Sequence, residues 1–358
     1  MLSVTVVIPC FTEARWAGLT RAIRSAQEQT YDCDLIVVVD HNDVLLQRLR
    51  SELGDTARVL ANRFPQGASG ARNTGALAAT ADLVAFLEDD AYAESTWVEA
   101  LVRAYERAPR AVGLGGAIEP LWRAGTPGWF PAEFSWTLGG TFAHREDTDV
   151  RNVWGGNMLV EQRAFAAVGG FATGFGKLGN ASQPEDTELC VRMNAAAGPG
   201  ARWRFVPDAV VYHQVSPERS TFGFFVRRCW SEGKGKAAMA ALSGSGAAVL
   251  DEEARFLRTT VTRGIVRNLG ATLRGDVTGA ARAAAIVIGT ITTVSSYLLA
   301  KAAPRGPGRA AVRAAGAPDP DDASHRAGGV VVGINEATIR RGAGPGGPAA
   351  MGSGTASA

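Results

Sequence analysis

The acidic run Glu88-Asp89-Asp90 directly follows Leu83–Leu87, an apolar stretch with the composition of a buried strand. Neighbouring carboxylates repel one another unless a cation lies between them. Mg²⁺ or Mn²⁺, held by one or two carboxylates together with a substrate diphosphate, would remove this repulsion. Glu88 and Asp90 are therefore the predicted metal ligands, and Asp89 is predicted to face the substrate. The alternative is a solvated acidic turn that caps the following helix.

A second acidic group, Glu185-Asp186-Thr187-Glu188, opens a predicted helix over residues 185–194. A carboxylate can accept a proton from an attacking hydroxyl and so act as a general base. Asp186 is the predicted base, while Glu185 and Glu188 are predicted to hold it or to bind acceptor hydroxyls. An ordinary acidic first helical turn, favoured by the helix dipole, is the alternative.

His213 ends a predicted apolar strand over residues 204–213. Neutral imidazole is a common ligand of divalent metals, so His213 is a predicted third ligand beside Glu88 and Asp90. A hydrogen-bonded structural histidine at a strand end is the alternative.

These residues need elements that bring them together, and the N-terminal part of the chain alternates between buried strands and helices. The predicted strands are Ser3–Pro9, Leu35–Asp40, Ala57–Ala61 and Leu83–Leu87, and the predicted helices are Leu19–Gln29, Leu45–Leu53, Gly70–Thr80 and Trp97–Arg107. This alternation predicts an α/β fold with a doubly wound, mixed but mainly parallel sheet. Ligands of such sheets bind beyond the carboxyl ends of the strands. The clusters Pro9–Glu13, Asp40–Asn42 and Glu88–Asp90 are predicted to meet there.

Polar residues after the first three strands predict a pocket for a nucleotide. Those assigned to it are Pro9, Thr12, Glu13, Asp40, Arg72 and Asn73. Asp40 can accept hydrogen bonds from a base or a ribose, and Arg72, beyond the glycines of 67–70, can contact a phosphate. A helix cap with Arg72 in a surface ion pair is the alternative. No glycine-rich loop follows the first strand, which disfavours a dehydrogenase or a nucleotidyltransferase.

Three regions are predicted along the chain: a nucleotide-binding and catalytic domain over 1–215, a helical region over 216–301, and a disordered tail over 302–358. Pro120–Trp136, rich in tryptophan, proline and glycine, is predicted to be a loop or flap. Residues 283–300 are uncharged and just long enough to span a bilayer. Phe222–Lys236 is basic and aromatic, which favours a membrane surface. A buried core helix and a solvated helix face are the respective alternatives.

Composition narrows the classes of function. The net charge of +2 disfavours binding to nucleic acid. The four cysteines lie far apart without a CxxC pair, which disfavours a zinc site or a disulfide framework and fits a reducing, cytoplasmic compartment. The N-terminal sequence MLSVTVVIPCF lacks a basic leader and a cleavage motif, so it is predicted to be a strand rather than a signal peptide.

Several stretches together resemble the family 2 glycosyltransferases of the GT-A fold. They are VVIPCFTE, IVVVDHN, GASGARNTG, VAFLEDDA, GGNMLVEQRAFAAVGGF and EDTELCVRM, within residues 3–215. This resemblance implies a GT-A-type fold and an inverting enzyme that uses a nucleotide-diphosphate sugar, with UDP expected, and Mg²⁺ or Mn²⁺. On this likeness Asp40 would contact the base, Asp90 the metal, and Asp186 would be the general base beside Glu185. Glu88 and Asp89 are assigned to the nucleotide sugar as well.

Two departures from the common family pattern narrow the resemblance. Glu88 stands where the family often has Asp, and His41-Asn42 replaces the common Asp-Gly-Ser. This version resembles the subgroup that contains glucosyl-dolichyl phosphate glucuronosyltransferases. It implies a polyprenyl-phosphate-linked sugar or another cell-envelope glycan as acceptor, bound by Trp129, Asn157 and Glu188 at the cytoplasmic face of the cell membrane. A non-catalytic nucleotide-sugar-binding scaffold of a membrane glycan-assembly complex is the alternative.

Overall fold

The computed structural model describes residues 1–123, 125–142, 147–173, 177–178, 181–182, 185–243 and 256–303. Its strands are β1 Val4–Cys10, β2 Asp34–Val39, β3 Arg58–Ala61, β4 Leu83–Leu87, β5 Ala91–Ala93, β6 Ala111–Trp122, β7 Thr148–Val150, β8 Asn157–Glu161, β9 Lys177–Leu178, β10 Ala181–Ser182 and β11 Arg202–Val215. Its α-helices are α1 Trp16–Gln27, α2 Asp43–Leu53, α3 Ala68–Ala78, α4 Trp97–Arg107, α5 Gln162–Ala167, α6 Glu185–Ala197, α7 Phe222–Ser243, α8 Thr262–Leu273 and α9 Gly279–Ala302. Short 3₁₀ helices span Glu13–Arg15, Gly54–Thr56, Ala132–Leu138 and Pro217–Ser220, and a π-helix spans Phe256–Val261.

One large sheet has the strand order β3-β2-β1-β4-β8-β6-β11-β5, with β7 also paired to β11, and β9 and β10 form a separate pair. Strands β3, β2, β1 and β4 are parallel, and β6 is parallel to β11. Strand β8 runs antiparallel between β4 and β6, and β5 and β7 run antiparallel to β11. The prediction of a mixed, mainly parallel α/β sheet is confirmed. Because β8 is reversed, its first residues lie at the edge where β1, β2 and β4 end.

The sheet is covered by helices on both faces, which explains why its central strands are continuous apolar runs. Successive side chains of a strand point to opposite faces. Val6 and Ile8 of β1 therefore belong to a core with α1, α2 and α4. Val7, between them, belongs to a second core with α3, α5 and α6. The two cores thus lie on opposite faces of the sheet.

Strand β6 has few side chains near its centre because three of residues 113–116 are glycine. A Cβ at Gly113 would lie 2.4 Å from Cζ3 of Trp203, and one at Gly116 would lie 1.9 Å from the backbone oxygen of Ala209. Real Cβ atoms do not come this close to other heavy atoms. The glycines therefore let the neighbouring strand β11 and its indole ring pack directly on the backbone of β6.

The segment Pro120–Trp136, predicted to be a loop or flap, is instead part of a third core. Strand β6 continues to Trp122, and a 3₁₀ helix occupies Ala132–Leu138. Phe130 and Phe134 are buried there against aromatic and aliphatic residues of α7 and α9. The prediction is wrong because these rings find partners from a part of the chain far downstream.

The C-terminal helices follow β11, which ends at Val215, the predicted domain boundary. Helix α9 contains the predicted apolar segment and packs along α7, where a Cβ at Gly233 would lie 2.3 Å from the backbone oxygen of Thr293. Ser296 Oγ donates a hydrogen bond to the backbone oxygen of Trp230 at 2.5 Å. Within the described ranges, α9 is the helix long and apolar enough to cross a membrane. The predicted tail beyond residue 303 lies outside the described residues.

Candidate active site

Glu88, Asp90 and His213 meet at the carboxyl edge of the sheet, although His213 is distant in sequence. The first two directly follow β4. Strand β11 pairs with β5 so that His213 lies opposite Ala91, and the backbone N–H of Gln214 donates to the backbone oxygen of Asp90 at 2.9 Å. One donor atom from each of the three side chains lies within 4.8 Å of the others. We call these three residues the metal-ligand group.

The metal-ligand group has the donors that a divalent cation needs. His213 Nε2 lies 3.2 Å from Asp90 Oδ1 and 3.8 Å from Glu88 Oε2. Asp90 Oδ1 is buried, and although His213 Nε2 lies near it, no described group forms a hydrogen bond of good geometry with it. Carboxylates suit Mg²⁺ or Mn²⁺, and neutral imidazole is a common ligand of metal ions in proteins. The residues present therefore fit a divalent cation.

Two arginines that were not identified from the sequence flank this group. Arg15 Nη1 lies 2.7 Å from Asp89 Oδ1 and 3.3 Å from Asp90 Oδ2. Arg219 Nη2 lies 3.8 Å from Asp90 Oδ2, and its Nη1 lies 3.2 Å from His213 Nε2. Both arginines lie in 3₁₀ helices that follow β1 and β11. A search for basic residues just beyond strand ends would have found them.

Burial and these cations act in opposite directions on the two aspartates. Burial raises the pKa of Asp89 to about 6, although the charge of Arg15 lowers it. Burial also acts to raise the pKa of Asp90, but contact with His213 and the charges of Arg15 and Arg219 outweigh it and hold that pKa well below its ordinary value. Asp90 therefore stays ionised, which is the form that binds a cation.

The second acidic group begins α6 and reaches the same edge of the sheet. The backbone N–H of Gly155 donates to Asp186 Oδ2 at 3.4 Å, and that of Thr187 donates to Oδ1 at 2.8 Å. Burial and the charge of Glu185 raise the pKa of Asp186 to about 7, although the two N–H groups and Arg72 lower it. A carboxyl group with this pKa can gain and lose a proton near neutral pH.

Arg72 lies between the two acidic groups. Its Nη2 is 3.1 Å from Glu88 Oε1, and its Nη1 is 3.4 Å from Glu185 Oε1. The side chain is only 4 % exposed, so the alternative of a surface ion pair is wrong. Helix α3 can bring Arg72 to this place because Gly75 lets it lie directly on β1, where a Cβ would be 2.4 Å from Cγ1 of Val7.

Asp40 lies at the end of β2, 7 % exposed, and both of its carboxylate oxygens have partners. Asn62 Nδ2 donates to Oδ1 at 2.6 Å, and His41 Nδ1 lies 2.8 Å from the same oxygen. The backbone N–H of Gly67 donates to Oδ2 at 2.8 Å. These bonds tie β2 to the segment that leads into α3. The contact of Asp40 with a nucleotide base stays a prediction.

The other residues predicted for the nucleotide lie beside Asp40 or at the end of β1. Pro9 is buried within β1. Thr12 begins the following 3₁₀ helix, where its Oγ1 accepts a hydrogen bond from the backbone N–H of Ala14 at 3.2 Å. Glu13 accepts a hydrogen bond from Asn42 Nδ2 at 2.8 Å, and this bond lowers its pKa. The structure thus brings the turns after β1 and β2 together.

Asn73 and Glu188 have partners within the chain. The Asn73 amide exchanges two hydrogen bonds of 2.8 Å with the backbone of Phe171. Glu188 forms a two-point ion pair with Arg192, whose Nη2 lies 2.6 Å from Glu188 Oε2, and Arg192 Nη1 donates to the backbone oxygen of Val168 at 2.7 Å. Both pairs fix the segment after α5. Roles of Asn73 and Glu188 toward ligands remain predictions.

Asn157 is fully buried at the start of β8. Its Nδ2 donates to the backbone oxygens of Ala117 and Ala209 at 2.9 Å each, and its Oδ1 accepts from Trp97 Nε1 at 2.8 Å. Both N–H donors of the amide are therefore used within the chain, and binding of an acceptor sugar by Asn157 stays a prediction. Trp129 packs against Phe130 and Phe225 of the third core and against the more exposed Phe222, with ring centroids 5.7, 5.6 and 5.0 Å away.

The chain is similar to known glycosyltransferases. The model of the family "Glycosyl transferase family 2" matches residues 5–169. The chain is 34 % identical over 246 residues to the glucosyl-dolichyl phosphate glucuronosyltransferase of Haloferax volcanii, covering 66 % of this chain and 77 % of that protein. It is 30 % identical over 219 residues to the pre-mycofactocin glycosyltransferase of Mycobacterium tuberculosis, covering 59 % of this chain and 42 % of that protein.

Among solved structures, a crystal structure of GalNAc-T7 with UDP, GalNAc and Mn²⁺ aligns with a TM-score of 0.48 at 16 % identity. The alignment covers 68 % of this chain and 51 % of that one. The relative from Haloferax volcanii is matched over most of its length, and this confirms the likeness to its subgroup. The chain belongs to glycosyltransferase family 2.

Proposed function

We propose that this glycosyltransferase moves a sugar, with inversion of configuration, from a nucleotide-diphosphate sugar to a hydroxyl of a lipid-linked acceptor. One observation carries the proposal. Arg72 contacts Glu88 on one side and Glu185 on the other. The metal-ligand group and the base candidate Asp186 therefore lie at the same edge of the sheet, close enough to act on one substrate.

Asp186 is the general base in this proposal. Its ionised carboxylate takes the proton of the acceptor hydroxyl while that oxygen attacks the anomeric carbon and the bond to the diphosphate breaks on the opposite side. A single displacement of this kind inverts the anomeric centre. The N–H groups of Gly155 and Thr187 orient the carboxylate, and Glu185 keeps its pKa near neutrality.

Glu88, Asp90 and His213 would hold Mg²⁺ or Mn²⁺. When bound, such an ion acts as a Lewis acid that neutralises the charge of a departing diphosphate. Arg15 and Arg219 stand beside the same carboxylates and are placed to bind phosphate oxygens. Arg72 would keep Glu88 in position.

The nucleotide would lie over the turns after β1 and β2. Asp40 would face the base, uracil by preference, with Thr12 and Glu13 beside it. Asp89, held by Arg15 at 2.7 Å, would support the diphosphate end of the pocket. Asn73 would act through the backbone of Phe171 rather than by touching the nucleotide.

The acceptor and the location are proposed from likeness. The relative that this chain matches over 77 % of its length is, by its name, a transferase for glucosyl-dolichyl phosphate. A lipid-linked acceptor of this class, or another cell-envelope glycan, requires work at a membrane, and we place it at the cytoplasmic face. Trp129 lies on the third core next to Phe222, which is 39 % exposed, and would meet the acceptor there.

The test is Asp186→Asn, assayed with purified protein, Mn²⁺ and a panel of nucleotide sugars against a polyprenyl-phosphate-linked sugar. Loss of a general base lowers kcat by about 10²–10⁴-fold, while nucleotide binding should be retained. Glu52→Gln, which removes a surface carboxylate on α2, is the matched control and should leave kcat unchanged. Unchanged sugar transfer by Asp186→Asn would exclude Asp186 as the general base. If the wild-type protein bound nucleotide in a metal-dependent way but transferred sugar to no acceptor, it would instead be a non-catalytic nucleotide-sugar-binding scaffold.

A further inference from the structure

Helices α8 and α9 carry apolar side chains that the rest of the described chain leaves exposed. On α9 they are Val287, Ile288, Ile291, Val294, Leu298 and Leu299. On α8 and the turn that follows they are Val266, Leu269, Leu273 and Val277. Leu273 and Val277 are 90 % and 86 % exposed. Large exposed apolar side chains in such number mark a surface that contacts a protein or a membrane.

The exposed side chains of α9 form one face of the helix. Residues 287, 291, 294 and 298 recur at intervals of three and four, which is the spacing of a single helical stripe. The residues buried inside the protein, including Ala285, Gly289 and Ser296, lie on the other side. Helix α9 therefore has one face committed to the protein and one apolar face that the described residues do not cover.

The charge of this region favours a membrane over a protein partner. Residues 256–303 contain the basic residues Arg258, Arg263, Arg267, Arg274, Arg282 and Lys301 and a single acidic residue, Asp276, whereas the whole chain has a net charge of only +2. Arg263 and Arg274 lie beside the apolar stripe of Val266, Leu269 and Leu273 on α8 and the residue that follows it, whereas Arg267 is paired within the chain with the buried Glu133 at 2.7 Å. An apolar stripe flanked by arginines is the pattern of a helix that lies in the interface of an anionic membrane.

The contacts of α9 also determine how it can meet the membrane. A Cβ at Gly289 would lie 2.6 Å from Phe134 Cε1 and 2.7 Å from Phe225 Cζ, so the helix backbone sits directly on the third core. Ser296 Oγ is bonded to the backbone of α7 at 2.5 Å, and Arg282 Nε donates to Asn268 Oδ1 at 2.7 Å. A helix that crossed the bilayer would have to give up these contacts.

From these observations we infer that α8 and α9 form an in-plane anchor, which inserts its exposed apolar side chains into the headgroup region of an anionic membrane without spanning it. The anchor is an alternative to the prediction that residues 283–300 cross the membrane. The anchor would hold the enzyme at the membrane where a lipid-linked acceptor lies, and only this link to the acceptor rests on the proposed function. Binding to lipid is independent of catalysis.

The first test is co-sedimentation of the full chain with vesicles of phosphatidylcholine alone and of phosphatidylcholine with phosphatidylglycerol. Binding should require the anionic lipid. Ile291→Asp and Leu298→Asp should each weaken it about tenfold or more, and Arg263→Gln and Arg274→Gln about fivefold each. Val44→Asp, on the exposed face of α2, is the control and should bind as the wild type does.

The second test separates an in-plane helix from a spanning one. Ala280→Cys and Ala302→Cys place a thiol near either end of α9, both at exposed positions, in a Cys33→Ser background that leaves only buried native thiols. In sealed inverted membrane vesicles, an impermeant maleimide should label both positions from the same side. Labelling from opposite sides would overturn the inference in favour of a spanning helix.

Absence of vesicle binding would also overturn it, whether or not size-exclusion chromatography then shows a second copy covering the surface. Transfer to a water-soluble acceptor analogue should be unchanged in Ile291→Asp. If the wild-type protein transferred no sugar but bound anionic vesicles as described, the proposed function would fail and the anchor would stand.

Discussion

Glu88 illustrates how one methylene group changes what a carboxylate can reach. Its Oε1 lies 3.1 Å from Arg72, while its Oε2 faces His213 at 3.8 Å. The shorter Asp, frequent at this place in the family, has less reach to serve both partners. Glu88 can therefore give one oxygen to a metal ion while the other stays paired with the buried guanidinium of Arg72, whose second carboxylate partner is Glu185 at 3.4 Å.

The pKa of Asp186 leads us to predict how the rate of the reaction depends on pH. Its pKa of about 7 means that the carboxyl group is protonated below this pH and ionised above it. Because the ionised form is the base, kcat/KM should rise with pH, with a midpoint near 7, and then level off. Initial rates over pH 5–9 with saturating Mn²⁺ check this.

The charge of Glu185 raises the pKa of Asp186, so Glu185→Gln should move that midpoint to lower pH. Glu52→Gln on α2 should leave it where it is. A profile that Glu185→Gln does not shift would show that another group controls the titration.

At the scale of elements, the reversed strand β8 joins the two halves of the sheet. It pairs with β4 on one side and β6 on the other. Its first residue, Asn157, donates hydrogen bonds to the backbone of β6 and of β11 and accepts one from the indole of Trp97 in α4. The residue just before it, Gly156, would place a Cβ 2.8 Å from Glu88 Cγ. The start of β8 therefore sets how closely the metal-ligand group can be packed.

We expect Asn157→Ala to lower the free energy of unfolding by about 3 kcal/mol, because two backbone oxygens and one indole N–H would be left buried without partners. For a chain of 358 residues, such a loss lowers the Tm by about 4 °C. Asn152→Ala, which removes an exposed bond of 3.1 Å to Thr187, is the control and should change the Tm little. Differential scanning calorimetry would measure both. A small shift for Asn157→Ala would mean that water replaces its bonds.

At the scale of the whole molecule, the C-terminal helices are attached to the catalytic part by aromatic rings. Phe130 and Phe134 come from the segment after β6, and Phe225 comes from α7, with centroids 5.3–6.3 Å from one another across these pairs. Gly289 of α9 lies on two of these rings. A change in this core should therefore separate the helices from the sheet without altering the sheet itself.

Gly289→Val tests this attachment. The new side chain would overlap Phe134 and Phe225, and overpacking of this kind costs about 1–3 kcal/mol. Limited proteolysis should then remove the C-terminal helices while the α/β part remains intact. Ala284→Val, on the exposed face of α9, adds the same residue without overlap and should keep the wild-type pattern. Equal cleavage of both variants would contradict the role of the aromatic core.

Much of the sheet could be predicted from the sequence because its central strands are buried on both faces and so appear as short apolar runs. The acidic groups could be placed together for a related reason, since parallel strands end at a common edge. Arg15 and Arg219 were missed because short 3₁₀ helices have no apolar period that reports their position, although both lie just beyond strand ends. The structural bonds of Asn157 could not be predicted either, because its partners Ala117 and Ala209 come from two other strands and no local pattern reveals them.

The glycines of β6 restrict how this protein can be re-engineered. With a backbone oxygen 1.9 Å from the place where a Cβ of residue 116 would sit, no library member carrying a side chain there could fold without shifting β11. Strand β11 carries His213, so any such shift would also move a member of the metal-ligand group. Variants with a new donor preference are therefore better sought in the turns after β1 and β2, where substitutions leave this strand contact untouched.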